Sequence, residues 1–488
     1  MGGLPLFCRK CAEPGGGKGV ILGMRLRIDY SSALSYNMDI RDAKGMRTMK
    51  KAFKFVFLGA GSTSFTLRLI GDILSEPCIR NAHLALVDID SEVLDIAEEA
   101  VGKFIRHVGR PFTYSKHTDF REALPGADYI FFTIATGKYE RWKDDIRICT
   151  KYGVNQSVGD TIGPGGIIRT LRTIPVLVEV AKEMERVCPD AWIINYTNPE
   201  GAVCLALQQY TKIRNFGLCH GTPDTAHMLA TEVFHVEPER LKFRAAGINH
   251  LTWFTDLTID GQDVYPLLDR ALTESGMDKK APISTQLFRM YGCYPAPGDR
   301  HVGEFFSYFM KDQVLKEQDY TWKNNDFIVV EQWRERSRKD LDKMRFEDTG
   351  YERYLEGSGE TATHFIHALE TGEVRSEMVN VINKGYIPNV SDGIIVEVPT
   401  FIDSFGLHPE MVDSLPEGIA YLCDSLGKEY LLAVKAAMEC DYRLALQAMY
   451  QDPLVRLCNY PERLLKELIE ANLDVLPGKW QEVIKELR

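Results

Sequence analysis

The stretch Lys54-Phe55-Val56-Phe57-Leu58-Gly59-Ala60-Gly61-Ser62-Thr63-Ser64 decides how this chain folds. Its apolar run is too short for a helix, and near-continuous apolarity marks a strand covered on both faces of a parallel sheet. Gly59 permits the tight turn that follows such a strand. Gly61 lets the backbone approach a pyrophosphate, which would sit at the positive end of a helix expected over residues 65–74. Ser64 stands at the third position of the usual G-x-G-x-x-G pattern and is small enough for close helix–strand packing. Ser62 lies within the same loop. Asp88 ends the next apolar run, where its carboxylate can accept hydrogen bonds from the ribose hydroxyls of NAD and would repel the 2′-phosphate of NADP. The alternative for Gly59, Gly61, Ser62 and Asp88 is an ordinary strand–helix turn with a capping acid.

Outward from this loop the pattern repeats. Apolar runs at 83–87, 129–134 and 191–194 alternate with helical stretches at 91–107 and 170–187. Strands alternating with helices predict a doubly wound, Rossmann-like α/β domain over residues 52–215. Residues 216–488 read as a larger mixed α/β domain, with helices expected over 409–450 and 460–476 and a strand-like piece at 393–398. Residues 1–48 differ: they hold Gly15-Gly16-Gly17, a basic excess and few periodic apolar positions, and read as a disordered leader. Cys8 and Cys11 form one CxxC there, without the second pair that a structural zinc site needs.

Composition sets limits on function. The chain has 488 residues, enough for two or three domains at ~100–200 residues each. Its 58 basic and 69 acidic residues leave a net charge of −11, which argues against nucleic acid as a partner. No apolar run approaches the ~18 residues that span a bilayer. Eleven scattered cysteines read as reduced thiols of a cytoplasmic protein rather than a disulfide framework.

Four further segments are rich in residues suited to chemistry: Gly159–Gly166 (GDTIGPGG), Asn195–Gly201 (NYTNPEG), Gly217–Gly221 (GLCHG) and Gly247–His250 (GINH). A thiolate and an imidazole, such as Cys219 and His250, can hold one divalent ion and leave positions open for substrate oxygens. Taken singly, a cysteine is more often a small buried hydrophobe and a histidine a hydrogen-bonded structural residue.

The order GAGS (59–62), VDID (87–90), GDTIGPGG, NYTNPEG, CHG (219–221), GINH and VEVP (396–399) resembles glycoside hydrolase family 4 from about Lys51 to the end of the chain. That resemblance implies a glycosidase that uses NAD and a divalent metal, usually manganese, and cleaves a small-molecule glycoside by transient oxidation at C3, elimination across C1 and C2, water addition and re-reduction. The family stands outside the usual two-carboxylate scheme of glycoside hydrolysis. By motif, Cys219 and His250 are then the metal ligands, Asn198 lies beside the sugar hydroxyls, and Arg141 faces the substrate. The base at C2 falls to Tyr291, with Tyr294 as second choice. Family likeness also implies a homodimer or homotetramer.

Relatives acting on 6-phosphorylated glucosides carry Asp or Asn straight after the metal cysteine, whereas this chain has His220, an imidazole able to protonate a leaving oxygen. Cys-His is similar to the branch acting on unphosphorylated α-glycosides, and the following Gly221 resembles the α-glucuronidase pattern; serine there is more typical of α-galactosidases and an α-galacturonidase, glutamate of α-glucosidases. Arg300 can pair with a uronate carboxylate, or with Glu304 inside the fold. The expected substrate is therefore an α-glucuronide or α-galacturonide, with α-galactosidase and α-glucosidase as alternatives. The rivals from other classes are a 2-hydroxy-acid dehydrogenase and a non-enzymatic NAD-sensing protein.

Overall fold

A computed structural model describes residues 52–310 and 327–487; the expected leader and its Cys8–Cys11 pair lie outside the described residues. Six strands run parallel: β1 (Phe53–Leu58), β2 (Ala82–Val87), β3 (Thr113–His117), β4 (Tyr129–Phe132), β5 (Trp192–Asn195) and β6 (Arg214–Gly217). Their order, β3-β2-β1-β4-β5-β6, is that of a dinucleotide-binding doubly wound sheet. The same sheet continues through β7 (Leu241–Ile248), β8 (Leu251–Ile259), β9 (Gln262–Asp263), β10 (Tyr294–Ala296), β11 (Arg375–Ile382), β12 (Ile395–Asp403) and β13 (Gly406–Pro409), all antiparallel to their partners.

Both faces of β1 are covered, as its apolarity requires. Phe55 and Phe57 enter one core with Leu84 and Phe131, while Val56 and Leu58 enter a second with Ile130 and Phe132. Each such side chain contributes about 1.5–3 kcal/mol when fully buried. Two junctions in this sheet are narrow: Asn380 of β11 pairs with Gly217 of β6, where the parallel and antiparallel parts meet, and Glu397 of β12 pairs with Gly247 of β7 within the antiparallel part.

Local chemistry sets the helix limits. The helix Ser91–Val108 begins at Asp90, whose carboxylate accepts from the amides of Glu92 and Val93, and ends at left-handed Gly109. The helix expected from residue 170 starts earlier, at Gly163, with Pro164 in its first turn. The single helix expected over 409–450 is not formed. Pro409 ends β13, a helix runs from Glu417 to Glu439, Cys440 turns left-handed at φ 53°, and Asp441 caps a separate helix, Tyr442–Gln451. The expected helix at 460–476 is shorter, Pro461–Ala471, and the strand-like piece at 393–398 extends to Asp403 as β12. No disulfide links the described cysteines, and no described helix is long and apolar enough to cross a membrane.

Candidate active site

The loop after β1 is built for close approach. Gly59 has φ 100°, and a Cβ on Gly61 would lie 2.5 Å from Oδ2 of Asp88 and 2.6 Å from Cγ2 of Val93. The Gly61 amide donates to that Asp88 oxygen at 2.8 Å, and the Asp90 amide to its Oδ1 at 3.0 Å. The helix that follows, Thr63–Ser75, has neither a side-chain cap nor an acidic residue in its first turn. Its positive end is thus uncapped by any side chain, while the Phe65 amide is taken by the Ser62 carbonyl. A groove of about 670 Å³ opens here, lined by Gly61, Ser62, Val93 and Ile96 on one side and by the helix Phe327–Asp342 on the other. These residues fit a dinucleotide: a tight turn, an unblocked helix terminus and a carboxylate at the second strand end.

Beside it lies a second cavity of about 420 Å³, within the range of small-molecule sites. It brings together Asn198, Cys219, His220, His250 and Arg300 from four separate segments. It also gathers Asp160, Arg169, His301 and Arg334, to which the sequence reading gave no role. Among the described lining residues Asp160 is the one carboxylate, against Lys138, Arg169, Arg300 and Arg334.

Asp160, His250 and His301 each place a possible ligand atom within 4.8 Å of the others. Thr161 organises two of them. Its hydroxyl lies 2.8 Å from Oδ1 of Asp160 and 2.6 Å from Nδ1 of His250. A carboxylate only accepts, so the hydroxyl proton goes to Asp160 and Nδ1–H of His250 donates to Thr161. The lone pair of His250 is then on Nε2. Burial pushes His250 and His301 below the ordinary imidazole range, which keeps both rings neutral as metal binding requires. Asn198 donates to Oδ2 of Asp160 at 3.1 Å. Carboxylate and imidazole donors suit a divalent ion such as manganese.

Cys219 lines the same cavity but lies outside that trio. Burial, with Glu397 and Glu200 nearby, pushes its thiol well above the ordinary range, so it becomes a thiolate only beside a cation. Underneath, two fully buried glutamates tie the site loops together. Glu200 accepts from Asn249 at 2.7 Å and from Asn380 at 2.9 Å, and Glu397 accepts from Thr222 at 2.8 Å. His220 pairs with Glu360 at 3.2 Å through Nδ1, and that bond raises the imidazole above its ordinary range.

Two residues expected in the site are elsewhere. On the helix Lys138–Lys151, Lys138, Tyr139 and Trp142 face the cavity, while Arg141 turns away, its guanidinium 2.8 Å from Asp474 and bonded to the Ala471 carbonyl. Tyr291 ends the helix Pro282–Tyr291, which Gly292 stops in a left-handed turn, and its ring packs edge-on against Trp253 at 5.3 Å and beside Phe306 at 6.2 Å. It does not line the cavity, and burial pushes its phenol up rather than down. Tyr294 is buried in β10 among Phe288 and its neighbours. Arg300, by contrast, is not spent on Glu304: that carboxylate takes the amides of Val158 at 2.7 Å and Gly159 at 3.0 Å, and the Arg300 guanidinium rests 5.4 Å over Trp333.

The residues missed in sequence sat inside segments already singled out. Asp160 precedes Thr161 in GDTIGPGG, and His301 follows Arg300. No spacing links positions 160, 250 and 301; only the fold brings them together.

The chain is similar to known glycosyl hydrolases. Residues 54–234 match the model described as family 4 glycosyl hydrolase, and residues 245–455 the C-terminal domain of the same family. An α-galactosidase of Rhizobium meliloti is 33% identical over 444 residues, covering 87% of this chain and 89% of its own. An α-galacturonidase of Thermoanaerobacter italicus is 30% identical over 454 residues, covering 88% and 98%. Among solved structures, a 6-phospho-α-glucosidase from gut microorganisms, in complex with NAD and glucose-6-phosphate, superposes with a TM-score of 0.74 at 25% identity, covering 88% of this chain and 99% of its own.

Proposed function

The chain belongs to the family 4 glycosyl hydrolases, and from that premise we propose that it cleaves α-glycosides of a uronic acid, as an α-glucuronidase or α-galacturonidase dependent on NAD and manganese or another divalent ion. The observation that carries this reading is Arg300: it lines the cavity with its guanidinium unpaired by Glu304, in a pocket whose described lining holds four cations and one carboxylate. A neutral hexose gives such a group nothing to neutralise, whereas a carboxylate can take it bidentately. The identity to an α-galacturonidase supports the same substrate class. The relative named an α-galactosidase favours a neutral galactoside as the second reading.

In the mechanism we propose, the start of the helix Thr63–Ser75 would bind the pyrophosphate of NAD, Gly61 would allow its close approach, Ser62 sits at the same turn, and Asp88 would take the ribose hydroxyls. Asp160 and His250 would hold the ion together with Cys219, the ligand that the family motif adds, and Asn198 would orient the sugar hydroxyls beside it. NAD bound there would supply reversible hydride transfer at C3, and the ion would supply stabilisation of negative charge on the sugar oxygens. Oxidation at C3 acidifies the proton on C2. His301, neutral and lining the cavity, takes that proton in place of Tyr291. His220 protonates the oxygen that leaves C1. Water then adds, and the net reaction is hydrolysis. A thiol at the site, Cys219, suits a reducing compartment such as the cytoplasm.

A substrate panel tests the proposal. p-Nitrophenyl α-galacturonide and α-glucuronide should turn over at least tenfold faster in kcat/KM than the α-galactoside and α-glucoside, with NAD and manganese both required. Preference for the neutral sugars would assign Arg300 another task.

A further inference from the structure

His220 projects into the cavity from the first turn after β6, with half of its side chain exposed, 56% by surface area. A lone imidazole on such a loop has two tautomers and several rotamers. Two carboxylates face it closely, Glu360 through Nδ1 at 3.2 Å and Asp224 at 3.9 Å from Nε2, with Arg68, His250 and His301 at longer range. Only the Glu360 contact is short enough to fix the ring.

Glu360 is itself held in place. Its side chain is 7% exposed, and its amide donates to Oγ of Ser358 at 2.9 Å. Ser358 is anchored in turn on Asp72, through its amide at 2.9 Å and its hydroxyl. Asp72 belongs to the helix Thr63–Ser75, the one that opens at the glycine loop. Hydrogen bonds therefore run from the nucleotide-binding helix, through Asp72 and Ser358, to the Glu360 amide, and the Glu360 carboxylate lies 3.2 Å from Nδ1 of His220.

We propose that Glu360 is the positioning residue of His220, accepting from Nδ1–H so that Nε2 is the nitrogen presented to the leaving group. A base or acid oriented by a third group in this way recurs on unrelated folds. Glu360 touches neither sugar nor cofactor in this scheme and acts through His220 alone. The inference rests on the reading of His220 as the acid, so its test separates the two.

Glu360→Leu, Glu360→Gln and His220→Ala are compared as full-length enzymes loaded with NAD and manganese. Each is assayed on p-nitrophenyl and methyl α-glycosides of whichever uronic acid or galactose the parent turns over fastest. Nitrophenolate departs without help, whereas methoxide needs a proton. Glu360→Leu should lower kcat/KM on the methyl glycoside by about a hundredfold and on the nitrophenyl glycoside by about threefold or less. His220→Ala should show the same split, and Glu360→Gln, whose amide oxygen still accepts from Nδ1–H, should recover most of the loss. Affinity for NAD, read by fluorescence, should be unchanged in all three. If His220→Ala shows the split and Glu360→Leu does not, the positioning role is overturned while the acid role of His220 stands. Equal loss on both glycosides in His220→Ala overturns the acid role itself.

Discussion

Thr161 and His250 share a bond of 2.6 Å between Oγ1 and Nδ1, and the Thr161 proton is committed to Asp160. This pins the ring of His250 with its Nε2 lone pair free. Imidazoles that ligate metals are held this way by an outer partner, and removing that partner typically costs 10–100-fold in affinity. Thr161→Val, which keeps the side chain's shape, should therefore weaken manganese binding by about 10–100-fold, read as free Mn²⁺ by electron paramagnetic resonance. Unchanged affinity would mean that the tautomer is set by other groups.

Arg300 carries the substrate assignment. Arg300→Ala should lower kcat/KM on a uronide by about a hundredfold, a figure in line with removing one partner of a desolvated charge pair, and should change turnover of the corresponding neutral glycoside by about threefold or less. Equal losses on both would return Arg300 to a purely structural place over Trp333.

Much of this was legible from residues adjacent in sequence. The strand–loop–helix at 53–75, with Gly59, Gly61 and Asp88, is local, and its apolar alternation between two cores leaves one way to fold. Asn198, Cys219, His220, His250 and Arg300 were legible because each sits in a compact polar motif, and the fold gathers all five in one cavity. What failed depends on direction rather than on type. Arg141 lies one residue from Trp142 on its helix, yet about 100° around it, and so faces Asp474 instead of the cavity. Tyr291 is turned into an aromatic pack by a helix that stops at Gly292. The apolar periodicity of 409–450 runs straight through the break at Cys440, so sequence period alone joined two helices.

The buried glutamates beneath the site predict a pH dependence of stability. Burial raises Glu397 from 4.5 to about 7. The folded chain then binds this proton more tightly than the unfolded one, so the group's contribution is fully present below about pH 4.5 and is lost as pH rises through 7. The window spans up to about 3 kcal/mol. Glu397→Gln, which keeps an acceptor for Thr222, should lose less stability between pH 5 and pH 8 than the parent in denaturant unfolding. Parallel profiles would show that Glu397 titrates alike in both states.

The central claim is that bond cleavage at C1 passes through loss of the proton on C2. Hydrolysis of a p-nitrophenyl α-uronide in deuterated water, with NAD and manganese present and the product followed by proton nuclear magnetic resonance, reads this directly. The account predicts deuterium at C2 of the released uronic acid after a single turnover. A product that keeps its original C2 proton would contradict it.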